Sequence, residues 1–163
     1  MRHYLVVANQ TLKQPELTEK IRACIDAGPC DFFLLVPATR AHGPVRWTPA
    51  DAYAVARRRL QSALDRFRAL GADVVGDVGD ASPVVAIGEL LRRRSFDALI
   101  LSTLPVGPSQ WLRGDVPGRI HQLFGLPVEL VTPPTDFELD LTAAEAQAAT
   151  AATGSVQEAV AAP

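Results

Sequence analysis

Five short apolar runs constrain this chain more than any other feature: YLVVA at 4–8, FFLLV at 32–36, VVGDV at 74–78, ALIL at 98–101 and VELV at 128–131. The intervals between them mostly carry apolar residues at helical spacing. Strands that alternate with helices are joined by crossovers and therefore run parallel. A parallel sheet is covered on both faces, so its strands read as apolar runs and not as strict alternation. The pattern predicts a three-layer α/β sandwich around a five-stranded parallel sheet. At 163 residues and 48% hydrophobic, the chain can bury one core but is too short for two full domains.

The helices carry legible punctuation. The first is expected from Pro15 to about Ala27, with Leu17, Ile21, Cys24 and Ile25 on one side and Gly28-Pro29 as its stop. The second opens on Thr48, Pro49 and Asp51, which fit N-cap, first-turn and capping-box positions. Its stripe is Val55, Leu60, Leu64 and Phe67, with Arg57, Arg58, Arg59 and Arg66 expected outward and Gly71 ending it. Ser82 and Pro83 begin the third, Ile87, Leu90 and Leu91 face the sheet, and Arg92, Arg93 and Arg94 fall in its last turn. Cations there suit the carbonyl end of a helix, and an anion-contact patch is the other reading. STLPVGPSQWLRGDVPGRIHQLF (102–124) contains three prolines and three glycines and closes on a helical pattern at Val116–Phe124. It is the least generic connection in the chain.

Beyond residue 135 the character changes. Residues 140–163 contain ten alanines and few large apolar side chains, so helix propensity is high and packing content low. Thr142 and Glu145 form a further candidate capping box. The expected organisation is a domain over 1–135 and an alanine-rich helical or disordered tail over 136–163.

A net charge of -2 argues against a broad nucleic-acid footprint, and no apolar stretch is long enough to span a membrane. The start lacks the pattern of a secretory leader, so a cytoplasmic location is expected. Cys24 and Cys30 fit neither a zinc framework nor a disulfide scaffold and read as buried thiols in a reducing compartment.

In open parallel sheets, ligands meet the carboxyl ends of strands where the strand order reverses. With order 3-2-1-4-5, the loops carrying Asn9, Gln10 and Thr11, then Pro37, Thr39, Arg40 and His42, then Ser102, Thr103 and 104–115 converge on one crevice. Asn9 suits either its own turn or a hydrogen bond to a base or ribose. Amides near Gly107, Ser109 and Gln110 suit either an anion nest or a rigid cover, and Arg113 and Arg119 suit either an anion or Asp115. Trp47 and Trp111 anchor loops or stack on a planar ligand. Ser109, His121 and Asp115 have the residue types of a hydrolytic triad, without a Gly-x-Ser-x-Gly elbow. His42 and His121 lack a carboxylate cluster for a metal. Neither a Walker loop nor a Gly-x-Gly-x-x-Gly fingerprint occurs.

The succession of LVVANQT, VVGDVGDASPVVAI, LILSTLP and SQWLRGDVPGRIHQLFGLPVELV resembles the universal stress protein family over residues 2–132. The resemblance implies an adenine-nucleotide alpha-hydrolase-like fold with strand order 3-2-1-4-5. It also implies dimerisation, frequently through the last strand, and in one branch ATP held between the first and fourth strands. That branch carries Gly-x-x-Gly-x(9)-Gly-Ser/Thr after the fourth strand. In this chain Gly114-Asp115 is the closing pair, Leu101 and Leu104 stand where the other glycines would, and Asn9 replaces an acidic residue.

These readings lead to a regulatory or binding protein without turnover, requiring no cofactor and forming a homodimer through residues 127–131. An adenine-nucleotide-binding switch, with ATP or another adenine nucleotide as ligand, is the alternative. A nucleotide-hydrolysing or phosphoryl-transfer enzyme using Asp80 and Asp115 is the third. The candidate ligand contacts are Asn9, Gln10, Thr39, Arg40, Ser102, Thr103, Gly107, Ser109, Arg113 and Gly114. No catalytic or metal-ligating set is assigned.

Overall fold

The computed structural model describes residues 1–40, 47–105 and 109–134. In chain order the elements are β1 (Arg2–Val7), α1 (Pro15–Ala27), β2 (Cys30–Pro37), α2 (Pro49–Ala69) and β3 (Val74–Gly79). They continue with α3 (Pro83–Leu91), β4 (Ala98–Ser102), α4 (Gln110–Arg113), α5 (Val116–Phe124) and β5 (Val128–Val131). The five strands form one sheet of order β3-β2-β1-β4-β5, and every pairing is parallel. Expected fold and strand order are therefore both found, with each apolar run inside or at the end of a strand. The tail expected over 136–163 lies outside the described residues.

Residue alternation along the central strands sorts side chains into two cores. Tyr4, Val6, Phe32, Leu34 and Ile100 meet Leu17 and Ile21 of α1 and Ala56, Leu60 and Phe67 of α2. Leu5, Val7, Phe33, Leu35, Leu99 and Leu101 point the other way, against Ile87 of α3, Trp111 of α4 and Ile120 of α5. Each fully buried leucine or isoleucine in these layers contributes about 1.5–3 kcal/mol of transfer free energy. The chain builds outward from β1 through β2 to β3, then returns to the other side of β1 for β4 and β5. The reversal between β1 and β4 leaves their carboxyl ends uncovered by any crossover.

The caps follow the sequence. Thr48 Oγ1 accepts from the Asp51 amide at 3.1 Å, while the Thr48 amide donates back to Asp51 Oδ2 at 2.9 Å, closing the capping box of α2. Ser82 caps α3 through the Val85 amide. Gly71 ends α2 with φ +89°, a conformation that a side chain would strain.

Three expectations are corrected. Arg57 and Arg58 are exposed as expected, but Arg59 and Arg66 turn inward to Asn9 and to the Leu12 carbonyl. Both flank the buried stripe, and their long stems follow apolar surface before the charged group reaches the loop after β1. Second, α3 closes at Leu91, with Arg92 its C-cap, so the three arginines lie beyond its last turn. There Arg94 lies over the Phe33 ring, 4.9 Å from the centroid, a cation–aromatic contact. Third, part of the proline-rich connection is helical. Ser109 starts α4, its Oγ accepting from the Leu112 amide at 3.1 Å.

Candidate functional site

The reversal between β1 and β4 opens a crevice lined by Asn9, Gln10, Thr11, Thr39, Arg40, Ser102, Thr103, Leu104, Ser109 and Trp111. Each strand end contributes by a local rule. After β1 the chain turns through Asn9, whose carbonyl accepts from the Leu12 amide at 3.3 Å, and this aims Thr11 at β4. After β2, Thr39 Oγ1 donates to the Ala81 carbonyl at 2.8 Å and fixes the loop beside Arg40. At the end of β4, Ser102 and Thr103 are both buried, and the Thr103 amide is held by the Val131 carbonyl of β5.

Two hydroxyl pairs cross the crevice. Thr11 Oγ1 and Ser102 Oγ are 2.6 Å apart, and Thr103 Oγ1 and Ser109 Oγ are 2.7 Å apart. In each pair one hydroxyl donates to the other, and the accepting hydroxyl keeps its own proton for a further acceptor. Among the described residues no lining side chain is a carboxylate, and Arg40 adds a positive charge. Spare hydroxyl donors beside a guanidinium suit the oxygens of an anion.

Of the ten candidate contacts, Asn9, Gln10, Thr39, Arg40, Ser102, Thr103 and Ser109 come together in this lining. Arg113 and Gly114 do not: both are exposed at the far end of α4, pointing the chain toward α5. Gly107 and His42 lie outside the described residues. Thr11, Leu104 and Trp111 complete the lining without having been among the ten. The Thr11 position was legible from its place after the first strand. Trp111, 8% exposed, packs into the core beneath the crevice as well as lining it.

The residues of other chemistries are employed structurally. Asp115, in the left-handed region at φ 48°, caps α5 through the Gly118 amide at 3.3 Å. His121 Nδ1 lies 3.4 Å from the Leu126 carbonyl, and Ser109 is engaged by Thr103 and Leu112. Asp80 accepts from the Ser82 amide at 2.8 Å, beside the start of α3. No hydrogen bond among these joins Ser109, His121 and Asp115. Among the described residues, no three His, Cys, Asp or Glu side chains cluster as metal ligands.

A second hollow lies at the amino ends of the strands, lined by His3, Asp31, Asp73, Val75, Arg94 and Phe96 among others. Its His3 Nδ1 is 2.8 Å from Asp31. It is wider than the crevice but lies at the opposite end of the sheet from the reversal of strand order, so topology favours the crevice.

No family model and no curated protein matches the sequence. Solved structures do match. A universal stress protein family member from Arabidopsis thaliana with AMP bound aligns over 83% of this chain and 94% of its own, at TM-score 0.58 and 12% identity. A universal stress protein in complex with cAMP aligns over 80% and 96%, at TM-score 0.52 and 21% identity. A universal stress protein family member from Burkholderia pseudomallei aligns over 79% and 94%, at TM-score 0.57 and 13% identity. The chain has an adenine-nucleotide alpha-hydrolase-like fold. Within that class, its strand order and helix placement are those of the universal-stress-protein-like fold.

Proposed function

We propose that the protein is a universal-stress-type binding or regulatory protein that acts without turnover, and that the β1/β4 crevice is its ligand site. One observation carries the reading: the lining combines two interlocked hydroxyl pairs with Arg40 and, among the described residues, contains no carboxylate. Such a surface can hold an anionic group, while the serine that would serve as nucleophile is committed to a helix cap. A phosphate-bearing ligand of the adenine-nucleotide class fits this chemistry, and two structural neighbours were solved with AMP or cAMP. Ligand occupancy would shift the population of conformations that a partner meets.

A homodimer through β5 belongs to the same proposal. β5 is an edge strand, and its Leu130 is 48% exposed, an arrangement that a second copy would cover. Among the described residues no helix is long and apolar enough to cross a membrane.

Calorimetry with ATP, ADP, AMP and cAMP, run beside a magnesium-dependent phosphate-release assay, tests the functional reading. Saturable heat that is mutually competitive, with phosphate release at background, is expected. Silence from all four ligands at millimolar concentration contradicts ligand binding. Phosphate release that is lost in Asp115→Asn contradicts the absence of turnover.

A further inference from the structure

Asn9 occupies the crevice floor, yet both ends of its amide are committed to the protein. Its Nδ2 donates to the Pro37 carbonyl at 2.8 Å, and its Oδ1 accepts from Arg59 Nη1 at 2.5 Å. The residue is 6% exposed. The orientation is fixed by chemistry: a guanidinium only donates and a carbonyl only accepts, so a reversed amide would set donor against donor and acceptor against acceptor. Turning Asn9 toward a ligand would break both bonds and leave the guanidinium and the Pro37 carbonyl without those partners.

Among the other described lining side chains, Arg40 and the Trp111 indole only donate and Thr39 is spent on the Ala81 carbonyl, while the rest have no fixed polarity. The hydroxyls of Thr11, Ser102, Thr103 and Ser109 rotate to donate or accept, and Gln10 can turn its amide over. A site distinguishes two bases strongly only when a fixed donor or acceptor would be left unpaired by the wrong one. The fixed amide in this crevice faces away from its ligand.

We propose that Asn9 and Arg59 form a positioning pair that braces the loop after β1 against β2 and α2, and that the crevice reads its ligand's anionic group without reading its base. Arg59 acts through Asn9: it holds the amide, the amide holds the end of β2, and Thr11 two residues on is thereby set against Ser102. This inference rests on the crevice being the ligand site.

The test is calorimetry of the full chain with AMP, GMP, CMP and inorganic pyrophosphate. The three nucleotides are expected to bind with dissociation constants within about threefold of one another. AMP binding more than about tenfold tighter than GMP overturns base indifference while leaving the ligand site in place. No saturable heat from any nucleotide or from pyrophosphate overturns the site and this inference together, so the two failures differ in their signature. Arg59→Ala is expected to weaken all the nucleotides by a common factor of about five to ten, with Arg59→Lys restoring much of it. Weakening confined to AMP overturns the positioning role. Should Arg59→Ala fail to fold, the wild-type protein still decides. The Asn9 side-chain NH₂ signals, assigned by their loss in Asn9→Ala, are expected to stay in place at saturating AMP. A large shift of those signals makes Asn9 a ligand contact and overturns the proposal.

Discussion

The hydroxyls of Thr11 and Ser102 meet at 2.6 Å, joining the loop that leaves β1 to the last residue of β4. Both side chains are about 1% exposed, so neither can turn to bulk water if its partner is removed. The contact holds together the two strand ends between which the strand order reverses, and with them the walls of the crevice.

Thr11→Val is therefore expected to destabilise the fold by about 1–3 kcal/mol, the cost of leaving a buried hydroxyl short of a partner. Adding Ser102→Ala should cost less than the sum of the single changes, because residues in contact are coupled. Urea denaturation of the wild type, both single variants and the double variant measures this. Strict additivity would show that the two hydroxyls do not share the bond.

Ser109→Ala removes both the partner of Thr103 and the cap of α4. A loss of about 1–2 kcal/mol is expected, together with weaker binding of any anionic ligand in the crevice. Denaturation and calorimetry of the same variant check the two effects. Unchanged affinity in a destabilised variant would separate the cap from the site.

Gly76→Ala should be poorly tolerated for a reason of space. A Cβ on this β3 residue would collide with the Leu34 carbonyl oxygen and lie 2.8 Å from Leu60 Cδ1. The backbone of β2 cannot move without disturbing its ladder, so a loss of about 1–3 kcal/mol is expected, on the scale of overpacking a core. A thermal midpoint equal to the wild type would contradict the close fit of α2 over β2 and β3.

Acid should loosen the start of α2. The Thr48 amide, and with it the Thr48 hydroxyl, donates to the Asp51 carboxylate and holds its carboxyl below the ordinary value of 3.8. A lowered folded-state value means that the stabilisation is present above 3.8 and is lost as pH falls through the folded value. Asp51→Asn is expected to flatten that acid limb of the stability curve. Identical limbs for wild type and variant would contradict the assignment.

Much of this architecture was legible because it depends on local rules. Apolar runs marked each strand, and Thr48-Pro49-x-Asp51 and Ser82-Pro83 marked two helix starts to the residue. The crevice loops followed from strand order, since Asn9, Thr39 and Ser102 all stand at or just past carboxyl ends. Arg59 was not legible: on a helical wheel it borders the stripe of Ala56, Leu60 and Ala63, and nothing local says whether a long cationic side chain at that border turns in or out. Its target, Asn9, is fifty residues away. The turn at Gln110–Arg113 was obscured by the prolines on either side, although a serine directly before Gln-Trp-Leu was a readable cap. Arg113 was a candidate for its charge and Gly114 as the closing glycine of the motif that the resemblance implies, and both are exposed residues outside the lining of the crevice.

The most direct test of the central claim is a two-dimensional ¹⁵N–¹H titration of the full chain with AMP. Shifts are expected in the backbone amides of Asn9, Gln10, Thr11, Ser102, Thr103 and Leu104 and in the Trp111 indole, with the signals of His3, Asp31 and Arg94 at the opposite end of the sheet unmoved. Shifts confined to that second hollow, or none at millimolar AMP, would contradict the assignment of the crevice as the nucleotide site.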